Sequence, residues 1–523
     1  MDLKGLRGGL MVCGTTSDAG KSTIVAALCR LLARHGVSVA PFKAQNMANN
    51  AAVTRDGAEI GHAQWVQAVA AGVEPVGAMN PILLKPTGHR TSQVVVRGRP
   101  IGEMTADAYQ RAKPSLRPAV LDALNALRDR HDVVICEGAG SPAEINLLDH
   151  DIVNLHLADA ADLPAVVVGD IDQGGVFAAL YGTVALLPER LRTRVKGFII
   201  NKLRGDPSLL GSACADLQRR SGVPTLGVIP YLPGVELDAE DSLTLDNERF
   251  WGRVAASGRG YAPPERISGD ILDVAAVRWP VVANAADLDP LRVEPHVEVR
   301  WVRSAADLGQ PDLVVLPGSK ATRADLEWFH DSGLADAVSR GEAAVIAICA
   351  GLQMSGGRIA DPAGVEGPPG TSEGLGWLAV TTSFAATKVL DRPRGRAVAG
   401  PGQGTEVAGY RIHHGRVQPS QDGNADHGMA PWLVSDDGAV LGWHCGRVCG
   451  TTLHALFEND RFRTEVLAWA ANRAGKPWVP GGIVFAEIRQ ARLDRIAEAL
   501  ESHLDLDHLV EVMACGARER GQP

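Results

Sequence analysis

GLMVCGTTSDAGKST, residues 9–23, runs from a short apolar segment through a glycine-bearing loop into Gly20, Lys21, Ser22 and Thr23. Gly9 to Cys13 has the length and character of a buried strand, and the pattern from Lys21 to about Arg34 is helical. A loop between strand and helix turns its backbone N–H groups and the positive end of the helix toward one point, where phosphate binds. Counted from Gly14 the loop is one residue longer than GxxxxGK[ST]. Gly14, Thr15 and Gly20 shape the cradle, Lys21 reaches the terminal phosphates, and Ser22 and Thr23 bring hydroxyls to the phosphates and to Mg²⁺. The expected ligand is ATP.

Outward from this loop, strand-like runs alternate with helical patterns at Ser38 to Phe42, Val133 to Cys136, Ala165 to Val168, Val195 to Ile200 and Thr225 to Ile229. That alternation predicts an α/β unit with a doubly wound parallel sheet over residues 1–244. Residues 245–268, rich in Gly, Pro, Arg and Ser and without apolar periodicity, read as a linker. A second alternating set, Leu272 to Val277, Val297 to Trp301, Leu313 to Leu316 and Ala343 to Ile348, predicts another α/β unit over 269–475. In the helical extension at 476–523, Leu493, Ile496, Leu500, Leu504 and Leu509 fall at helical spacing. The polar face is acidic, so packing on the body is expected rather than membrane binding.

Composition narrows the functions. The chain has 523 residues, 45% apolar and 22% charged, which suits two to four folded domains. With 52 Lys and Arg against 61 Asp and Glu, the net charge of −9 and the absence of a basic run disfavour a nucleic-acid partner. No run approaches the ~18 apolar residues that span a bilayer, and eight sparse cysteines suit a reducing, cytoplasmic setting. Cys445 and Cys449 form a CxxxC pair without a second Cys/His pair at zinc spacing nearby, so core packing is the expected role. Oligomeric state is left open.

Glu137 ends the run Val133 to Cys136, where an α/β sheet binds ligands, and is expected as the second Mg²⁺ anchor beside Ser22. Asp170 and Asp172 end another strand; Asp172 serves either this carboxylate group or as a helix cap. Gln45 to Asn50 is either a surface turn or a substrate contact, with Gln45 and Asn46 the binding candidates.

In the second unit, Cys349 stands where an apolar strand meets a helical stretch, a turn that exposes a nucleophile and favours its thiolate. Gly318 and Ser319, after another strand, could supply an oxyanion hole, and His454 downstream offers a general base.

Several strings carry a family resemblance. GTTSDAGKS, with Lys43 in PFK, resembles the dethiobiotin synthetase type of ATP-binding domain, which implies an ATP-site role for Lys43. PFKAQNMANN, MNPILLKPTG, EGAGSPAEINL and GDIDQGGVFAALYGT are similar to the cobyric acid synthase family. LPGSK, ICAGLQM and GTTLHALFEND resemble the class I glutamine amidotransferase domain found with it. The resemblance implies that glutamine is hydrolysed at Cys349 with His454 as proton shuttle. It also implies that ATP and Mg²⁺ activate the b, d, e and g carboxylates of a corrin a,c-diamide for amidation.

Two departures stand out. The G-x-C-x-G motif has Ala347 at its first position, and Leu456 replaces the acid of H-x-E, leaving Glu458 or Asp460 to orient His454. His413 also matches a family position without an assigned role. The alternatives are the a,c-diamide synthase, whose family carries a GPDYIDP-like string where this chain has Ala44 to Met47, and a P-loop ATPase fused to an inert amidotransferase-like module.

Overall fold

The computed structural model describes residues 3–88, 90–235, 271–420 and 428–516; the expected linker at 245–268 lies outside them. The six strands read in the N-terminal unit form one sheet. Its order is Thr225–Pro230, Val195–Leu203, Ala165–Asp170, Gly8–Gly14, Val133–Glu137 and Val39–Phe42. Every pairing is parallel, with Gly8–Gly14 central. Alternate residues of that strand feed opposite cores: Met11 and Cys13 one, Leu10 and Val12 the other. Both faces are therefore covered, and the phosphate loop lies at the C-terminal ends of the strands.

A side sheet unread in the sequence is attached here: Gln45–Met47 pairs parallel with Ile82–Pro86, which continues antiparallel through Thr91–Val96 and Arg99–Thr105. Gln45–Met47 is three residues long and Arg99–Thr105 is mostly polar and exposed, so neither carries a strand pattern into the sequence.

In the C-terminal unit, Val297–Val302, Leu272–Val277, Leu313–Leu316, Ala344–Ile348 and Val448–Thr451 run parallel. Val440–Cys445, Ala430–Ser435, Arg394–Ala397 and Glu406–Ala408 extend the same sheet antiparallel, making nine strands. Cys449 lies in the core on one face and Cys445 packs against the core on the other, so the CxxxC thiols point apart.

Helices Phe485–His503 and Leu506–Ala514 leave the C-terminal unit and return to the N-terminal one. Leu493, Ile496, Leu500, Leu504 and Leu509 complete the core that holds Leu10, Val12 and Ile24. Arg30 Nε donates to Asp494 Oδ1 at 2.7 Å across the packed helices. At Gly8 (φ 146°) a Cβ would lie 2.0 Å from the Met513 carbonyl oxygen, so only glycine admits this return. Among the described residues, no helix is long and apolar enough to cross a membrane.

The two units meet along a buried seam. Ala51–Val53, Leu83 and Val95 pack with Tyr410 and Ile412. Glu59 accepts from Lys85 of its own unit (2.8 Å) and from Lys388 of the other (2.6 Å), all three side chains nearly inaccessible. Asn50 Oδ1 accepts the Ala285 N–H and Asn284 Oδ1 accepts the Ala51 N–H, both at 3.0 Å.

Candidate functional site

The phosphate loop has the expected form. Gly20 adopts φ 95° at the start of helix Lys21–Arg34, and a Cβ there would lie 2.2 Å from Asn201 Nδ2, so glycine is required by conformation and by space. Thr15 N–H donates to Val168 O, tying the loop to the neighbouring strand, and Asn201 Nδ2 holds the Ala19 carbonyl. Lys21 Nζ donates to Thr16 O (2.8 Å) and Ser17 O (3.1 Å), its ammonium folded over the loop.

Ser22 Oγ donates to Glu137 Oε1 at 2.8 Å, and Lys43 Nζ reaches the same oxygen at 2.7 Å. The expected cluster is therefore assembled. Glu137 is 1% exposed, a burial tolerable for a carboxylate because its oxygens have donors. Gln67 Nε2 donates to Glu137 Oε2 at 2.5 Å, a partner that sequence reading missed; helix His62–Ala71 carries it, with only a glutamine in an apolar helix as a signal.

Asp172 caps no helix: Gly175 begins Val176–Leu186, and Asp172 pairs with Arg204, while Asp170 pairs with Lys202. The surface-turn expectation for Gln45 to Asn50 also fails. Gln45–Met47 is a strand whose Gln45 accepts from Tyr109 Oη (2.6 Å), and Asn46, Asn49 and Asn50 are buried. Asn46 Nδ2 donates to Gln64 Oε1 at 3.0 Å.

The second centre forms around Cys349. This residue has φ 54°, ψ −106° between strand Ala344–Ile348 and helix Ala350–Ser355. Such strain in a non-glycine residue costs about 1–3 kcal/mol and is typical of a nucleophile held at a turn. Ala347 sits within the strand with no positive φ, so its departure from glycine has no conformational cost. Gly351 cannot be replaced similarly: a Cβ would lie 2.2 Å from Leu316 O.

The acid that orients His454 is neither Glu458 nor Asp460. Asp287, in the short turn Ala285–Leu288, accepts from His454 Nδ1 at 2.7 Å through Oδ2 and from the Ala455 N–H at 2.7 Å through Oδ1. Glu458 pairs with Arg489, and Asp460 with Arg463. Asp287 lies 167 residues before the histidine, beyond any local motif. Burial alone would lower the pKa of His454, but the charges of Asp287 and Cys349 raise it to about 10. The raised pKa favours the protonated form of the imidazole, which sits beside the Cys349 sulfur. Tyr410 stacks on the ring, 5.4 Å between centroids, and exchanges backbone hydrogen bonds with His454.

A small cavity of about 20 Å³ lies beside the thiol, lined by Gly318, Ser319, Cys349, Gln353, His413 and His454 among others. Gly318 and Ser319 pair with Val282–Ala283, and a Cβ at Gly318 would lie 3.2 Å from His454 Cε1. Ser319 Oγ is turned away to Asp325. His413 Nδ1 faces Gly415 O at 2.7 Å; burial lowers its pKa to about 4, and its other ring nitrogen is buried without a partner. A neutral ring with Nδ1–H donating inward leaves Nε2 to accept from a ligand.

Comparison with known proteins follows this division. Residues 10–245 match the family described as the CobQ/CobB/MinD/ParA nucleotide binding domain, and residues 273–462 the CobB/CobQ-like glutamine amidotransferase domain. The chain is 48% identical to a cobyric acid synthase from Rhodococcus jostii (strain RHA1), over 98% of this chain and 97% of that one. It is 48% identical to one from Saccharopolyspora erythraea, over 97% and 95% respectively. A cobyric acid synthase from Frankia casuarinae is 47% identical over 98% of each chain.

Proposed function

The chain belongs to the cobyric acid synthase family, and from that premise we propose how its two centres share one reaction. It is a glutamine-dependent carbon–nitrogen ligase that uses ATP and acts in cobalamin biosynthesis. The substrate proposed is adenosylcobyrinic acid a,c-diamide, amidated at its b, d, e and g carboxylates, in the cytoplasm. The eight cysteines scattered along the chain suit that reducing compartment.

In the C-terminal unit, Cys349 Sγ attacks the side-chain amide carbon of glutamine. His454, oriented by Asp287, gives its proton to the departing ammonia, and water then releases glutamate from the thioester. The backbone at Gly318 and Ser319 is proposed to stabilise the oxyanion. In the N-terminal unit, a corrin carboxylate takes the γ-phosphoryl group of ATP, and ammonia displaces phosphate from the resulting acyl phosphate. Lys21 and Lys43 offset the charge that develops. Ser22 and Glu137 provide two oxygen donors 2.8 Å apart, the kind of partial set that Mg²⁺ shares with nucleotide phosphates, and the ion would add charge neutralisation there. Gln45 and Asn46, past the strand that leads to Lys43, are proposed to meet the corrin side arms.

The observation that carries this reading is the complete Cys349, His454 and Asp287 set. An inert amidotransferase-like module has no need of a strained thiol beside an oriented imidazole. Incubation with the corrin a,c-diamide, ATP and glutamine, followed by mass spectrometry, tests it. Stepwise conversion of four carboxyls to amides with matching glutamate release is expected. ATP hydrolysis without glutamate release would reject it, and turnover only of the undiamidated corrin would make the protein the earlier synthase.

A further inference from the structure

The turn that carries Asp287 is capped from the other unit. Asn284, its first flanking residue, has φ 54° and makes no side-chain cap to its own turn. Its Oδ1 accepts the Ala51 N–H of the N-terminal unit, while Asn50 Oδ1 of that unit accepts the Ala285 N–H, the first donor of the turn. Two asparagines thus exchange capping roles across the seam, each satisfying a backbone donor that would otherwise be buried unpaired. Asn50 is fully buried and Asn284 is 2% exposed, so water cannot replace either bond. The residues that follow Asn50 support the histidine from its other side. Ala51–Val53 pack with Tyr410 and Ile412, and Tyr410 stacks on His454.

We infer that Asn50, a residue of the ATP-binding unit, is a positioning residue for glutamine hydrolysis: it fixes the turn from which Asp287 orients His454. The inference rests on the glutaminase reading above and extends it, since the thiol site is then complete only while the two units are docked. The same segment begins two residues after Lys43, which grips Glu137, so the chain that reads the phosphate site also sets the thiol site.

The test uses the full chain carrying Asn50→Ala, with glutamine and with ammonium as alternative nitrogen donors. Loss of the cap should lower kcat with glutamine ~10- to 100-fold, the scale of a small misplacement of a reacting group. KM for glutamine should stay within about threefold, ammonium-dependent amidation should be unchanged, and labelling of Cys349 by a diazo-ketone analogue of glutamine should slow in proportion to kcat. Asn50→Asp, which keeps the acceptor oxygen, should restore most of the loss. Unchanged glutamine turnover in Asn50→Ala would overturn the inference. So would a parallel fall with both donors, or no recovery in Asn50→Asp, either of which marks a role in folding alone. A wild-type chain that releases no glutamate would instead overturn the glutaminase reading itself.

Discussion

At the phosphate loop, Gly14, Thr15, Gly20, Lys21, Ser22 and Thr23 lie within ten consecutive residues, and one strand and one helix position them. The thiol site takes Cys349, His454 and Asp287 from three separate elements, with 167 residues between the last two, and draws support from the other unit. The difference is one of physical need. Binding phosphate requires donors converging from a single helix terminus, which a short loop supplies. Covalent catalysis requires nucleophile, base and orienting acid at fixed mutual angles, and no contiguous segment can present all three.

The sharpest way to separate the two centres is Cys349→Ser. Glutamine-dependent amidation should vanish while ammonium-dependent amidation persists, as measured by corrin amide formation. Loss with both donors would merge what the structure keeps apart. Asp287→Asn should lower glutamine turnover roughly 10³-fold with ammonium turnover intact, because the amide keeps one acceptor for the Ala455 N–H and turns an N–H toward His454 Nδ1, favouring the wrong tautomer. The variant also removes the charge that most raises the pKa of His454 against burial, so the alkaline limb of kcat/KM for glutamine should fall from near pH 10 toward neutrality. The nearby His413 is neutral across that range and should add no limb of its own.

At the loop the pattern should invert. Lys21→Ala should depress turnover with either donor, by ~3 kcal/mol or roughly 100-fold, since the phosphoryl group must be stabilised whichever nitrogen follows. Full ammonium-dependent turnover in this variant would falsify the assignment. Glu137→Gln should raise the Mg²⁺ concentration for half-maximal rate about tenfold, read by titration with glutamine held saturating. The smallest effect is expected for Gln45→Ala: a rise in KM for the corrin of about fivefold, one hydrogen bond's worth, with KM for ATP and glutamine unchanged.

Much of this was legible beforehand for reasons that differ by residue. All six strands of the N-terminal parallel sheet were visible because both faces of such a sheet are buried, and their sequences are continuous apolar runs. The antiparallel half of the C-terminal sheet was not, since strands such as Arg394–Ala397 are short and half-polar. Lys21 and Ser22 announce themselves in a glycine-bearing loop that opens a helix, and Glu137 by ending a strand. Gln67 does not, because a glutamine inside a helix has no local signature of the carboxylate it meets. Asp287 was missed for the same reason: Glu458 and Asp460 were nearer in sequence, but arginines hold both.

The return of the last two helices matters for how the molecule is made. The core that holds Leu10 and Val12 of the central strand and Ile24 of the helix after it is completed by residues 485–514, which the ribosome supplies about 255–285 residues after Thr225–Pro230 closes the sheet. At ordinary elongation rates that is roughly 15–60 s during which this core of the nascent first unit stands incomplete. A translation stall after residue 475 would leave that unit assembled but uncovered. The oldest part of the chain is thus the last to be sealed, and its exposure to chaperones or to aggregation is set by the speed at which the second unit is synthesised.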